Sequence, residues 1–329
     1  MKLPRRQFLH LAAGTAALPI VSRIAGAQTY PSRPITMVVP YPAGGPTDTI
    51  ARILGERMRV SLGQPVVIEN VTGAAGNIGV GRVARAAGDG YTLGIGHWGS
   101  HVVNGAIYTL PYDLVTDFEP VALISDGPQL IVAAKAVPAK DIKELIAWLK
   151  ANPGKAMVGT TGVGGASHLA GILFQKTTGT DIQIVPYRGA APRMQDMLSG
   201  QIHLAFDQAA SSLAQVQGGN LQAYAVTSKS RLAIAPDIPT VDEAGLPGFY
   251  ISVWHGLWSP KGTPKDIVRK LNAAAVDALA DPTVRQRLTT LGQELPAREQ
   301  QTPEALGAHQ KAEIDKWWPI IKAAGIKVE

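Results

Sequence analysis

Cysteine is absent from this 329-residue chain. That excludes disulfides, thiol catalysis, iron–sulfur clusters and cysteine-ligated zinc. A chain of this length buries enough apolar surface to fold without cross-links. No apolar run reaches the ~20 residues that span a bilayer. No segment clusters Lys and Arg on one face in the way a nucleic-acid binder requires. There is no G-x-S-x-G to build a nucleophile elbow, no Gly-Lys-Ser/Thr to make the Gly159–Gly164 spacing a P-loop, and no H-E-x-x-H around His97 and His101. No internal repeat and no low-complexity tract interrupts the chain.

What is present begins at the N-terminus. Pro4-Arg5-Arg6-Gln7-Phe8-Leu9 precedes an apolar run, Leu11 to Val21, and then Ala25-Gly26-Ala27. This is an export signal with an A-x-A cleavage site, expected to be cut near Ala27. Arg5-Arg6 fits a twin-arginine signal, but Pro4 stands where Ser or Thr is usual, so twin-arginine and Sec export both stay open. Four of the 31 basic residues and none of the 25 acidic ones lie in residues 1–27, so the 302 residues that follow carry a net charge of +2. The basic pI belongs mostly to the signal.

Beyond the signal, short apolar strands alternate with helices. Strands are predicted over 34–40, 66–70, 91–96, 130–133, 157–161, 182–185 and 221–226. Helices are predicted over 49–60, 77–87, 142–151, 168–177, 191–198 and 211–217, then over 264–280, 282–291 and 302–324. This alternation predicts an α/β fold with a parallel sheet and helices on its faces. The length predicts about two domains.

Two strand–loop–helix units carry the chemistry, one in each half of the α/β pattern. They are Tyr41-Pro42-Ala43-Gly44-Gly45-Pro46-Thr47-Asp48 and Thr160-Thr161-Gly162-Val163-Gly164-Gly165-Ala166-Ser167-His168. Their glycines let a backbone approach an anion, and Thr47, Asp48 and Ser167 are good cap residues. A helix N-terminus presents free N–H groups and a partial positive charge to a carboxylate or phosphate. In open α/β sheets ligands bind at the strands' C-terminal ends. Two helix ends and four or five charge-assisted hydrogen bonds give roughly 12 kcal/mol gross. Less an association cost of at least ~4, that corresponds to roughly micromolar binding, with no arginine clamp required. Gly94-x-Gly96-x-x-Gly99 matches a dinucleotide motif, but its acidic partners, Asp113 and Asp117, fall in a Pro-flanked loop rather than at a strand end. Trp98 fits ligand stacking and core filling equally.

These motifs, in this order, resemble one family: Tyr41–Asp48; Glu69-Asn70 with Gly73–Gly79; Asp89–Leu93; Gly162–Leu169; Val185-Pro186-Tyr187-Arg188-Gly189-Ala190-Ala191-Pro192; and Pro239–Gly245. It is the Bug (Bordetella uptake gene) family, the extracytoplasmic solute-binding proteins of tripartite tricarboxylate transporters. The resemblance implies a type II periplasmic-binding-protein fold, two α/β domains joined by two crossovers with a ligand cleft between. Residues 28–128 plus 252–329 would form the first domain and 129–251 the second. It implies ligand-binding roles for Tyr41, Ala43, Gly44, Gly45, Thr47, Asp48, Thr160, Gly162, Gly164, Ser167, His168, Tyr187, Gly189, Ala190 and Asp207. Trp98, Ser100 and His101 replace a Thr-rich segment expected at the ligand's distal end, which opens the site to aromatic as well as di- and tricarboxylates.

The reading is therefore a monomeric periplasmic binding protein. It needs no catalytic residue, cofactor or metal, and its partners are a small carboxylate and the membrane subunits of a transporter. A periplasmic sensor feeding a two-component system has the same sequence signature. An exported enzyme lacks its nucleophile, metal and cofactor motifs.

Overall fold

The computed structural model describes residues 30–326. The expected export signal lies outside the described residues. Two five-stranded mixed sheets, each flanked by helices, form two α/β domains. The first contains β1 (Ile35–Val39), β2 (Val66–Asn70), β3 (Thr92–His97), β4 (Phe118–Ser125) and β10 (His255–Pro260), in the order β2-β1-β3-β10-β4. The second contains β5 (Gln129–Ala134), β6 (Met157–Thr160), β7 (Gln183–Pro186), β8 (Leu204–Gln208) and β9 (Leu221–Val226), in the order β7-β6-β8-β5-β9.

The two orders are the same pattern. In each sheet four strands run in one direction, and one antiparallel strand is inserted before the last. The inserted strand is the one that directly follows a crossover: β5 after residues 126–128, β10 after residues 227–254. The sheets are therefore mixed rather than wholly parallel. The expected strands omitted β4, β8 and β10. Glu119-Pro120 and Gly256 dilute the apolar signal of β4 and β10, and β8 is only five residues long.

The helices follow the periodicity. The first domain has α1 (Pro46–Leu62), α2 (Asn77–Ala84), α3 (Asn104–Ile107), α8 (Lys265–Ala280), α9 (Pro282–Thr290) and α10 (Pro303–Ala323). The second has α4 (Ile142–Ala151), α5 (Ala166–Thr178), α6 (Ala190–Leu198) and α7 (Ala209–Gln217). In α1 the residues Ile50, Ile53, Leu54, Met58 and Leu62 are buried against the first sheet, the i, i+3, i+4 stripe that makes the segment helical.

The crossovers run side by side. Val253 N–H donates to the Gly127 carbonyl at 2.9 Å, and Pro128 bridges Ser252. One apolar core continues through both domains and includes Trp98, Trp254, Trp258 and Trp317, all about 1% exposed or less.

Candidate functional site

Four strands end where four helices begin. β1 leads through residues 40–45 into α1, and β6 through residues 161–165 into α5. β7 leads through residues 187–189 into α6, and β8 runs directly into α7. All four helix N-termini open on one cleft of about 850 Å³, within the range of small-molecule sites. None of the four carries a side-chain cap. Their orphan N–H groups are therefore left for a ligand or water.

The first and second of these loops are built alike. The N-cap residues Gly45 and Gly165 adopt the same extended conformation, with φ −77° and −70° and ψ 169° and 167°. The glycines before them, Gly44 and Gly164, are left-handed at φ 81° and 75°, a conformation that favours glycine. In each, that glycine's N–H is held by the side chain four residues on. Gly44 donates to Asp48 Oδ2 (2.8 Å) and Gly164 to His168 Nδ1 (2.9 Å).

This geometry assigns several residues a bracing position. Asp48 is buried and does not line the cleft. It accepts hydrogen bonds from Gly44, from Arg52 Nε (2.9 Å) and from Asn70 Nδ2 (2.9 Å). Burial pushes its carboxyl up, but these bonds outweigh it and hold the group below the usual carboxylate range. Burial lowers the His168 imidazole, which is neutral near pH 7. Gly164 faces Ile107 of the first domain, where a Cβ would strike Ile107 Cδ1. Tyr187 donates to Asp196 Oδ2 (2.7 Å) within its own helical unit.

Of the expected site residues, Tyr41, Ala43, Gly44, Gly45, Thr47, Ser167, Gly189, Ala190 and Asp207 line the cleft. Thr47 Oγ1 lies 3.1 Å from His255 Nε2 and Ser167 Oγ accepts from the Thr161 N–H (3.0 Å). Both hydroxyls are thus engaged within the protein, and the backbone N–H groups are the freer donors. Thr160 is fully buried, with Oγ1 unpartnered, and Thr161 takes its place on the wall. Gly162 has φ 133° and shapes the turn.

Trp98, Ser100 and His101 require correction as distal-end residues. They are buried behind the cleft, in and beside the wide helical turn Gly99–Val103. Trp98 packs edge-on to Trp317, and His101 stacks on Trp258 at 3.7 Å. The glycines of Gly94-x-Gly96-x-x-Gly99 serve this packing. A Cβ at Gly96 would strike the His101 ring, and one at Gly99 would meet the His97 ring at 2.7 Å. From that segment only His97 reaches the cleft, stacked on Tyr41 at 4.5 Å. Burial lowers its pKa to about 4, so it is neutral at pH 7, and Nδ1 accepts from the Gly99 N–H (2.9 Å).

The cleft also holds residues that sequence reasoning missed: Gln129, Gln208 and Arg193. Gln129 and Gln208 face each other across the β5–β8 pair, each with Oε1 buried and unpartnered. Arg193 is 0% exposed, and its Nη2 donates to Asp207 Oδ2 at 2.5 Å. Burial pushes the Asp207 carboxyl up, with the guanidinium pulling against it. Arg193 had a signal in the sequence. It is a cation in the first turn of a predicted helix, where the helix dipole disfavours one.

Among the described residues no group of three or more His, Asp or Glu could hold a metal, and no helix is long and apolar enough to cross a membrane. The arrangement provides hydrogen-bond donors and fixed partial charges for an anion.

The structure of the periplasmic binding protein BugD is 43% identical, with a TM-score of 0.80, over 91% of this chain and 100% of that one. MatC from Rhodopseudomonas palustris, solved with bound malate, is 40% identical with a TM-score of 0.79, over 89% and 100%. R. palustris Rpa4515, solved with adipate, is 35% identical with a TM-score of 0.81, over 91% and 100%. The model of the tripartite tricarboxylate transporter family receptor, TctC, matches residues 50–326. The chain belongs to that family of solute-binding receptors.

Proposed function

We propose that this chain is exported to the periplasm, captures a small aliphatic di- or tricarboxylate, and delivers it to the membrane subunits of a tripartite transporter. The observation that carries this is the convergence of four uncapped helix N-termini on one cleft. Three of those helices belong to one domain and one to the other, so an anion bridging them favours closure. Residues 28–128 plus 252–329 and residues 129–251 act as the two moving bodies, hinged where the crossovers lie together. The ligand's carboxylates meet Ala43, Gly44, Gly45 and Thr47 on one side and Thr161, Ser167, Gly189 and Ala190 on the other. Solved relatives with malate and with adipate support an aliphatic acid. The residues that opened the aromatic alternative, Trp98 and His101, are core.

A thermal-shift panel tests this. Di- and tricarboxylates at millimolar concentration should raise the melting temperature by a few degrees, through binding to the folded state alone. Nucleotides should not. No response to any carboxylate, with a response to a nucleotide, would sink the reading.

A further inference from the structure

We infer that Arg193 is a second anion-holding group of the cleft and makes the site selective for ligands with two anionic groups over those with one. This deepens the carboxylate reading above and rests on it. The first turn of α6 carries Arg193, and helical side chains run back toward the N-terminus. Its stem crosses β6 at Gly159, where a Cβ would lie 2.8 Å from Arg193 Cγ. A side chain there would displace the arginine, so Gly159 is the floor of the groove that holds it. The tip reaches the end of β8, where Nη2 meets Asp207.

Asp207 uses only one edge of the guanidinium. Arg193 Nε and Nη1 are buried and donate to nothing. A guanidinium has five N–H donors and no acceptor. Leaving buried donors unpaired is costly, more so on a charged group. Asp207 has little left to give. Its second oxygen already accepts the Gln208 N–H at 3.0 Å. Arg193 is among the residues that line the cleft, together with the first turns of α6 and α7 and the loop that leads into α1, and its unpaired donors are buried beneath that wall.

The charge balance sets the ligand class. Arg193 and Asp207 together are neutral, so the pair by itself attracts no anion strongly, and the exposed Arg188 adds one positive charge to the same lining. With the partial positive ends of α5, α6 and α7 added, the wall favours one further negative group. A carboxylate held there leaves the α1 end for a second carboxylate on the same molecule. A monoacid satisfies one end and leaves the other unfilled.

Isothermal titration of the signal-free protein with malate and adipate, each against its half-amide, tests this. The diacid should bind at least about tenfold more tightly, the contribution of one charge-assisted hydrogen bond. The double variant Arg193→Met with Asp207→Asn removes both charges at similar volume, a change buried ion pairs often tolerate. It should bring the diacid-to-half-amide ratio close to one, with the melting temperature of the free protein showing that it folds. Arg193→Lys keeps the charge but loses the planar donors, and should reduce the ratio part of the way. An unchanged ratio in both variants overturns the role of Arg193 and leaves the carboxylate reading standing. Failure of the wild-type protein to bind any of the four acids overturns both.

Discussion

The loops before α1 and α5 are the same backbone built from different residues. Ala43-Gly44-Gly45-Pro46-Thr47-Asp48 and Val163-Gly164-Gly165-Ala166-Ser167-His168 share a left-handed glycine, an extended glycine cap, a hydroxyl two residues later and a side chain that closes the turn. They differ in what closes it. The first uses a carboxylate, which needs Arg52 and Asn70 to hold its charge. The second uses a neutral imidazole. The first loop therefore sets a buried carboxylate and its counterion behind its turn, off the cleft wall. The second leaves its helix dipole unopposed, and Arg193 lies in the same domain. Equal backbone geometry means both loops can touch the ligand, while the second domain, with three of the four uncapped helix ends and Arg188 in the lining, carries more of the electrostatic attraction.

The most severe way to break the comparison is to fill both caps. Gly45→Val and Gly165→Val place a side chain where the helix N–H groups open on the cleft. Neither backbone is left-handed, and each added Cβ meets a carbonyl at an ordinary 3.4 Å. Folding stability should change by less than about 1 kcal/mol. Binding of malate or adipate should fall at least about a hundredfold in each variant, the loss of two charge-assisted hydrogen bonds. Calorimetry with a parallel denaturation curve reads both quantities. If only one variant loses affinity, the ligand sits in that domain alone and the loops are not functional twins.

Much of this arrangement is legible in sequence. The glycine pairs, the hydroxyls and the strand–loop–helix order locate both loops, because backbone conformation there depends on local residue types. The division of labour within each loop is not legible. Asp48 and Ser167 both look like caps or ligands, and only the fold shows one bracing Gly44 and the other bracing Thr161 while facing the cleft. Trp98 and His101 follow a strand end just as a ligand-facing pair would. The wide turn at Gly99–Val103 directs them inward, onto Trp317 and Trp258, which are far away in sequence. Arg193 meets Asp207 across 14 residues, from α6 to β8, and no periodicity encodes that meeting.

Acid should separate the two domains next. The first loop leans on buried histidines: His255 contacts Thr47, and His101 packs beneath the same sheet. Burial lowers His101 to about 3, with His97 adding to the effect, and His255 well below its ordinary value. Their folded-state pKa values lie below the unfolded value near 6.5, so the unfolded chain binds more protons between them. The stability they contribute is present above pH 6.5 and is lost as pH falls toward 4. The loss is about 1.4 kcal/mol per pH unit for each fully titrating histidine. Hydrogen exchange at pH 5 against pH 7 should show the strands of the first domain losing protection before those of the second. Equal loss in both domains would contradict this placement of the acid-sensitive groups.

The smallest expected effect tests the charge difference itself. His168→Asp keeps an acceptor for the Gly164 N–H but copies the first loop's negative charge into the second. In the first loop Arg52, four residues after Asp48, neutralises that charge. The matching position in the second loop is Ile172, which cannot. The unbalanced carboxylate should oppose the α5 helix end and weaken malate or adipate binding by about tenfold, within the ~2 kcal/mol that a charge at a helix end commands. Adding Ile172→Arg to the same protein rebuilds the first loop's ion pair and should recover most of that loss. Added salt should narrow the gap between the single variant and wild type, since the effect is Coulombic. If His168→Asp binds as wild type does, the imidazole and the carboxylate are interchangeable braces, and the ligand does not sense the charge on which the two loops differ.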